Sequence, residues 1–224
     1  MRNGLRALVG IGASTAVVAL VGPGTALAGT LDQQQTNAGG GTYALSNVVS
    51  HAQTFTAGVS GGVDQVDLDL ATVTTLDPLT VEIRNVAGGA PGTTVLASGS
   101  TPSTSAVPLA FVPIHFATPA PVVAGTQYAI VAWTQDTAGG WGWGHSAADS
   151  YTGGTAFTLN APVPPTGTWS SDAVDLAFKT YVAPSTAAIT GPTGQRAAAL
   201  KKCKKKHSQK AKKKCKKKAR KLPV

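Results

Sequence analysis

The chain has 224 residues, of which 42% are hydrophobic and 13% charged, with a formal net charge of +9. That length suits one domain with a real hydrophobic core plus extensions. The charge is segregated: residues 29–195 hold all ten acids against only Arg84 and Lys179, a net −8, while residues 196–221 hold thirteen lysines, two arginines and no acid, a net +15. An acidic body joined to a polycation is a different object from a uniformly basic protein. The body has no cysteine, which excludes thiol nucleophiles and Cys-ligated zinc from it.

The first element is a leader. Arg2 and Arg6 precede a small, apolar run from Ala7 to Val21; Pro23 and Gly24 break it, and Ala26-Leu27-Ala28 places small residues at a cleavage site. This is the pattern of a secretory signal peptide over residues 1–28, cut after Ala28. The run is shorter than the ~20 residues that span a bilayer, and no later segment is long and apolar enough to do so.

From residue 29 to 182 the chain reads as all-β, in short period-two runs between Gly, Pro, Ser, Thr and Asp. His51–Thr56 is a first candidate strand. In Asp64–Leu70, DQVDLDL, Val66, Leu68 and Leu70 share one face and Gln65, Asp67 and Asp69 the other. LTVEIRNV repeats this, with Leu79, Val81 and Ile83 inward and Thr80, Glu82 and Arg84 outward, the last two as an exposed ion pair. AGGAPGTT is a turn region and VLAS a short strand. In FVPIHF, Pro113 removes a ladder donor and marks an edge strand. YAIVAW, Tyr128–Trp133, is apolar on both faces and reads as central and buried, Trp133 included. Gly140–Gly144, Ala156–Leu159 and Asp175–Val182 complete eight to ten strands. Turn signals at roughly 8–12 residue spacing predict a single jelly-roll-like β-sandwich. Residues 183–195, rich in Pro, Gly, Ser and Thr, form a linker, and residues 196–224 a basic tail, disordered or partly helical.

Four stretches carry a resemblance: AQTFTAG (Ala52–Gly58) with VDQVDLDL (Val63–Leu70); LTVEIRNVAGGAPGTTVLASGS (Leu79–Ser100); FATPAPVVAGTQYAIVAW (Phe116–Trp133); and DLAFKTYV. Over about 130 residues the body resembles the extracellular bacterial β-sandwiches of choice-of-anchor surface proteins, and it is similar to jelly-roll modules that bind carbohydrate. The resemblance implies a non-catalytic surface module. The Lys-rich tail departs from the sortase signals or membrane helices that usually anchor that group.

The tail supplies the densest candidate interface: Lys201, Lys202, Lys204, Lys205, Lys206, Lys210, Lys212, Lys213, Lys214, Lys216, Lys217, Lys218, Arg220 and Lys221. Mutual repulsion disorders such a segment in isolation, and an anionic partner neutralises it. Anionic cell-surface polymers are the expected partners, bound through counterion release, with nucleic acid bound non-specifically at most, since no aromatic residue interleaves the lysines. The alternatives are a merely solubilising tail, or one that folds back on its own acidic domain. Cys203 and Cys215 are twelve positions apart. A continuous helix would hold them roughly 18 Å apart, whereas a disulfide needs Cα atoms within about 7 Å. An oxidising compartment favours the bond, either closing a lysine-studded loop or linking two chains. His207 is a third donor for a metal site that the surrounding cations oppose.

GGWGWGHS places Trp141 and Trp143 on one face of an extended segment, with glycines leaving the rings uncovered. Such rings stack on sugars, and Tyr151 and Trp169 extend the platform. The ordinary alternative is that both indoles are core. Asp64, Asp67 and Asp69 form a candidate calcium cluster, although no EF-hand loop is present and strand carboxylates are usually just solvated; no other cofactor is expected. Enzyme signatures are lacking: Glu82 is the only glutamate, and His51, His115 and His145 are scattered without HExxH, GxSxG or a phosphate loop. The expectation is an exported, surface- or wall-associated binding or structural module. A polysaccharide-active enzyme and an extracellular matrix protein that binds DNA or other polyanions stand as alternatives.

Overall fold

The computed structural model describes residues 29–72, 77–101, 107–137, 140–184, 195–204 and 208–220. The expected leader, residues 1–28, and most of the expected linker lie outside them. The body is all-β. Its strands are β1 (Thr30–Gln35), β2 (Gly41–Leu45), β3 (Val49–Thr56), β4 (Gly61–Thr72), β5 (Leu79–Ala87), β6 (Ala90–Ser100), β7 (Val107–Val122), β8 (Gln127–Thr134), β9 (Trp141–His145), β10 (Ala156–Asn160), β11 (Ser170–Ser171) and β12 (Phe178–Pro184). Three of these go beyond the sequence expectation: β1, β2 and the two-residue β11. None carries the clean apolar alternation that identifies a strand in isolation.

The strands form two antiparallel sheets. The first runs β1-β12-β4-β9-β2, with β7 also paired to β4; the second runs β11-β10-β3-β8-β5-β6. β7 pairs with β4 alone among the named strands, so it is an edge, as Pro113 requires. β8 lies between β3 and β5. Its alternation sends Tyr128, Ile130 and Ala132 into the main core and Ala129 and Val131 to the opposite face of the second sheet. A second apolar cluster covers that face, built by Ala52, Ala129, Val131 and Phe157 with Val86, Ala90, Trp133 and Trp169 packed on it. This is why YAIVAW is apolar on both sides. It also corrects the placement of Trp133, which is half-buried in this outer cluster rather than in the central core.

The main core lies between the sheets and includes Leu45, Phe55, Leu68, Leu70, Ile83, Ile114, Ile130, Trp141, Trp143 and Phe178, all buried. Each such side chain contributes roughly 1.5–3 kcal/mol through removal from water. Turn chemistry fixes the register at two places. Gly88 and Gly89, at φ +61° and +83°, make the two-residue connection of the β5–β6 hairpin, a geometry that needs positive φ at both positions. Most of AGGAPGTT is therefore strand, not turn. After β7, Gly125 at φ +78° reverses the chain, and Tyr128 Oη accepts the Val123 N–H at 3.0 Å, tying the turn to the following strand.

The expected surface pair of Glu82 and Arg84 is a correction. Both point away from the main core, as the alternation requires, yet they are only 7% and 5% exposed. Arg84 donates through Nε to Glu82 Oε2 at 2.6 Å and through Nη1 to the Pro165 carbonyl at 3.1 Å. The long connection after β10 thus lies over this part of the sheet.

The tail is helical where described: α1 (Gln195–Lys204) and α2 (Gln209–Ala219). Among the described residues, no helix is long and apolar enough to cross a membrane.

Candidate functional site

Ser208 opens the second of the two tail helices. Its hydroxyl accepts the Ala211 N–H at 3.2 Å, capping α2. α1 and α2 pack on each other and are joined by a disulfide between Cys203 and Cys215, with Cα atoms 5.5 Å apart. The bond lies within one chain. Lys201, Lys202, Lys204, Lys210, Lys213, Lys214, Lys216, Lys217, Lys218 and Arg220 are exposed, and Lys212 is half-buried. Lys205, Lys206, His207 and Lys221 lie outside the described residues. Gln209, Lys210, Lys212, Lys213 and Lys216 line an open cleft of about 420 Å³ along α2. Among the described residues, no tail lysine is paired with a carboxylate. The arrangement is a compact, unneutralised cation.

The expected aromatic platform does not form. Trp141 and Trp143 do share one face, as their spacing requires, but that face is the inner one. They are 1% and 0% exposed, and their Nε1–H groups donate to the Asp77 and Ala177 carbonyls, both at 2.8 Å. The neighbouring glycines serve the other face. A Cβ at Gly144 would lie 2.5 Å from Asp69 Oδ2, and one at Gly142 would lie 3.0 Å from Thr42 Cβ. They make room for outer-face side chains rather than baring the indoles. Tyr151 packs edge-on against Phe178 with ring centroids 5.3 Å apart, and its hydroxyl donates to Gln33 Oε1 at 3.0 Å. Burial, with Asp32 and Asp175 nearby, pushes its phenol up to about 12. Trp169 belongs to the outer cluster of the second sheet. The four rings are thus divided between two separate packing regions.

The three strand aspartates do not converge either. Asp67 accepts from Gln65 Nε2 at 2.6 Å and from Tyr181 Oη at 2.9 Å. Asp64 Oδ2 accepts the Gly29 N–H at 2.9 Å. Asp69 lies over Gly144. Burial raises its carboxyl above the ordinary carboxylate value, partly offset by Lys179, whose ammonium sits 4.2 Å from the centre of the Phe111 ring. Among the described residues, no three His, Cys, Asp or Glu side chains gather as a metal site would require. The expected calcium cluster is not assembled.

One polar group was missed in the sequence. Tyr43 on β2 stacks with His51 on β3 and His145 on β9, centroids 5.1 and 4.3 Å away. His51 Nε2–H donates to the Ala44 carbonyl at 3.0 Å, and Nδ1 lies 3.0 Å from Thr158 Oγ1, whose one hydroxyl proton serves either Nδ1 or Asp172 Oδ2, 2.8 Å away. Burial lowers the His51 pKa below its usual value, against opposing contributions from Ala44 and Asp172. Thr42, Tyr43, Ala44, Val49, His51 and Thr158 line a shallow cleft of about 240 Å³ here. The two ring nitrogens of His51 are both occupied by protein groups, which fits a structural histidine. Its partners are scattered along the chain, and no local spacing announces them.

No protein-family model matches the chain, and no curated protein matches it significantly.

Proposed function

We propose that the chain is an exported, non-catalytic surface module: a jelly-roll-like sandwich held at the envelope by its basic helical pair, which binds anionic surface polymers. The observation that carries this reading is the tail. Ten exposed basic side chains project from two short helices and the Arg220 cap, with no acid among them and, among the described residues, no carboxylate partner. A protein gains nothing in stability from such self-repulsion, whereas a polyanion gains counterion release by binding it. The acidic body, at −8, is repelled by the same polymer, which favours display of the sandwich away from the surface.

The test is co-sedimentation of the chain from residue 29 onward with isolated cell envelopes across a salt series, beside a chain ending at Gln195. The shorter chain keeps every residue of both apolar clusters of the sandwich. Tail-dependent binding that dissolves steeply with salt is the expected result. Retention of the shorter chain at high salt would instead assign envelope recognition to the sandwich and overturn the tether.

A further inference from the structure

We infer that the Cys203–Cys215 disulfide is what makes the tail a binding unit, so that polyanion affinity is set by thiol redox state; this rests on the tether reading above. The argument starts from what holds α1 against α2. Among the described tail side chains, only Cys203 and Ala219 are buried; Ala199, Leu200, Lys212 and Cys215 are half-buried, and the rest are exposed. That is too little apolar surface to oppose the repulsion between two basic helices.

The helices do not sustain themselves either. They have ten and eleven residues, below the ~12–15 at which even favourable isolated helices become stable in water. In α2, Lys210 and Lys214, Lys212 and Lys216, Lys213 and Lys217, and Lys214 and Lys218 are like charges four apart, which is destabilising. The Ser208 cap and the basic last turns favour helix, but each such effect is small. The covalent bond therefore supplies the pairing, and the pairing sustains the helices.

Reduction reverses this. A thiolate of a small dithiol attacks Sγ of half-buried Cys215, and the Cys203 sulfur leaves as a thiolate within a strongly cationic segment. The second thiol of the reductant then displaces Cys215. The protein disulfide gains two electrons and two protons, and the dithiol becomes a disulfide. The opened tail keeps all its charge but loses its pre-organisation, so it must pay ordering entropy when it binds. Such a tail binds weakly in a reducing compartment, where nucleic acid is abundant, and tightly once oxidised outside it.

The test uses the whole chain from residue 29 onward and long-chain inorganic polyphosphate as probe, at one fixed salt concentration. The oxidised protein, the protein reduced by a small dithiol, and the Cys203→Ser/Cys215→Ser variant are compared by binding and by far-UV circular dichroism. Reduction is expected to weaken binding by about tenfold or more, as lost pre-organisation does, and to remove helical signal. The double variant should match the reduced protein and ignore the dithiol. Equal affinity of the oxidised and reduced forms would overturn the inference while leaving the tether intact. If the oxidised protein binds no better than a Lys210→Gln/Lys213→Gln/Lys216→Gln variant, the tether itself fails. Unchanged circular dichroism on reduction would overturn the disulfide-held pairing whatever the binding shows.

Discussion

Asp69 occupies the space that a side chain at Gly144 would need: a Cβ there would lie 2.5 Å from Asp69 Oδ2. The contact crosses from β4 to β9 on the outer face of the first sheet, back to back with buried Trp143. It accounts for Gly144, as the Thr42 side chain accounts for Gly142, better than any exposed ring does. Gly144→Ala should cost about 1–3 kcal/mol, the usual penalty for overpacking. In an Asp69→Ala background the cost should shrink, and a double-mutant cycle by urea denaturation reads the coupling.

Asp69 also makes a prediction about pH. Its folded-state carboxyl titrates above the ordinary carboxylate value because burial disfavours the charge. The folded protein therefore holds that proton more tightly than the unfolded chain, and this group favours folding as pH falls through its raised value. Asp69→Asn should raise the melting temperature at pH 7, and the gain should vanish below about pH 3, where the aspartate is largely protonated in both states.

His51 has the opposite sign. Burial depresses its folded-state pKa, so the unfolded chain takes up the proton first. Stability should fall as pH drops below the ordinary histidine value of about 6.5 and continue to fall until the depressed value is passed. His51→Gln should flatten that part of a melting-temperature profile between pH 7 and 5. A variant with the same slope as the parent would show that His51 is not the group responsible.

Glu82 and Arg84 form a buried pair, which makes removal of one partner costly. Arg84→Met leaves a carboxylate buried without its cation and should destabilise by about 3–5 kcal/mol. Glu82→Leu/Arg84→Met removes both charges and should be clearly milder. Guanidinium denaturation of the two variants distinguishes this from a surface pair, for which both changes would be small.

Asp175 anchors the loop between β9 and β10. Its Oδ2 accepts the Ser150 and Tyr151 N–H groups, both at 2.6 Å, and Gln53 Nε2 lies 3.4 Å from Oδ1. The residue is fully buried. Asp175→Ala should lose roughly 2–4 kcal/mol by orphaning those donors, and hydrogen exchange at Ser150 and Tyr151 should rise with it.

Sequence alone determined the local facts. Period-two runs gave β4 and β5, the doubly apolar YAIVAW run gave β8 and DLAFKTYV gave β12, each to within a few residues; Pro113 gave the edge character of β7, and the separation of Cys203 from Cys215 set a single tail helix against a disulfide. The segregation of charge needed no structure at all. Apolar alternation already marked the inner faces of β4 and β5; tertiary structure decided the inner face where glycines leave no polar side to mark the outside, as in β9. Trp141 and Trp143 were correctly placed together, yet only the pairing of β9 with β2 and β4 turns them inward. Whether an outward residue meets water was equally beyond the pattern. Glu82 and Arg84 point outward but lie beneath the segment carrying Pro165, a contact 81 positions away from Arg84. The cluster around His51 joins β2, β3, β9 and β10, and it exists only once both sheets have formed.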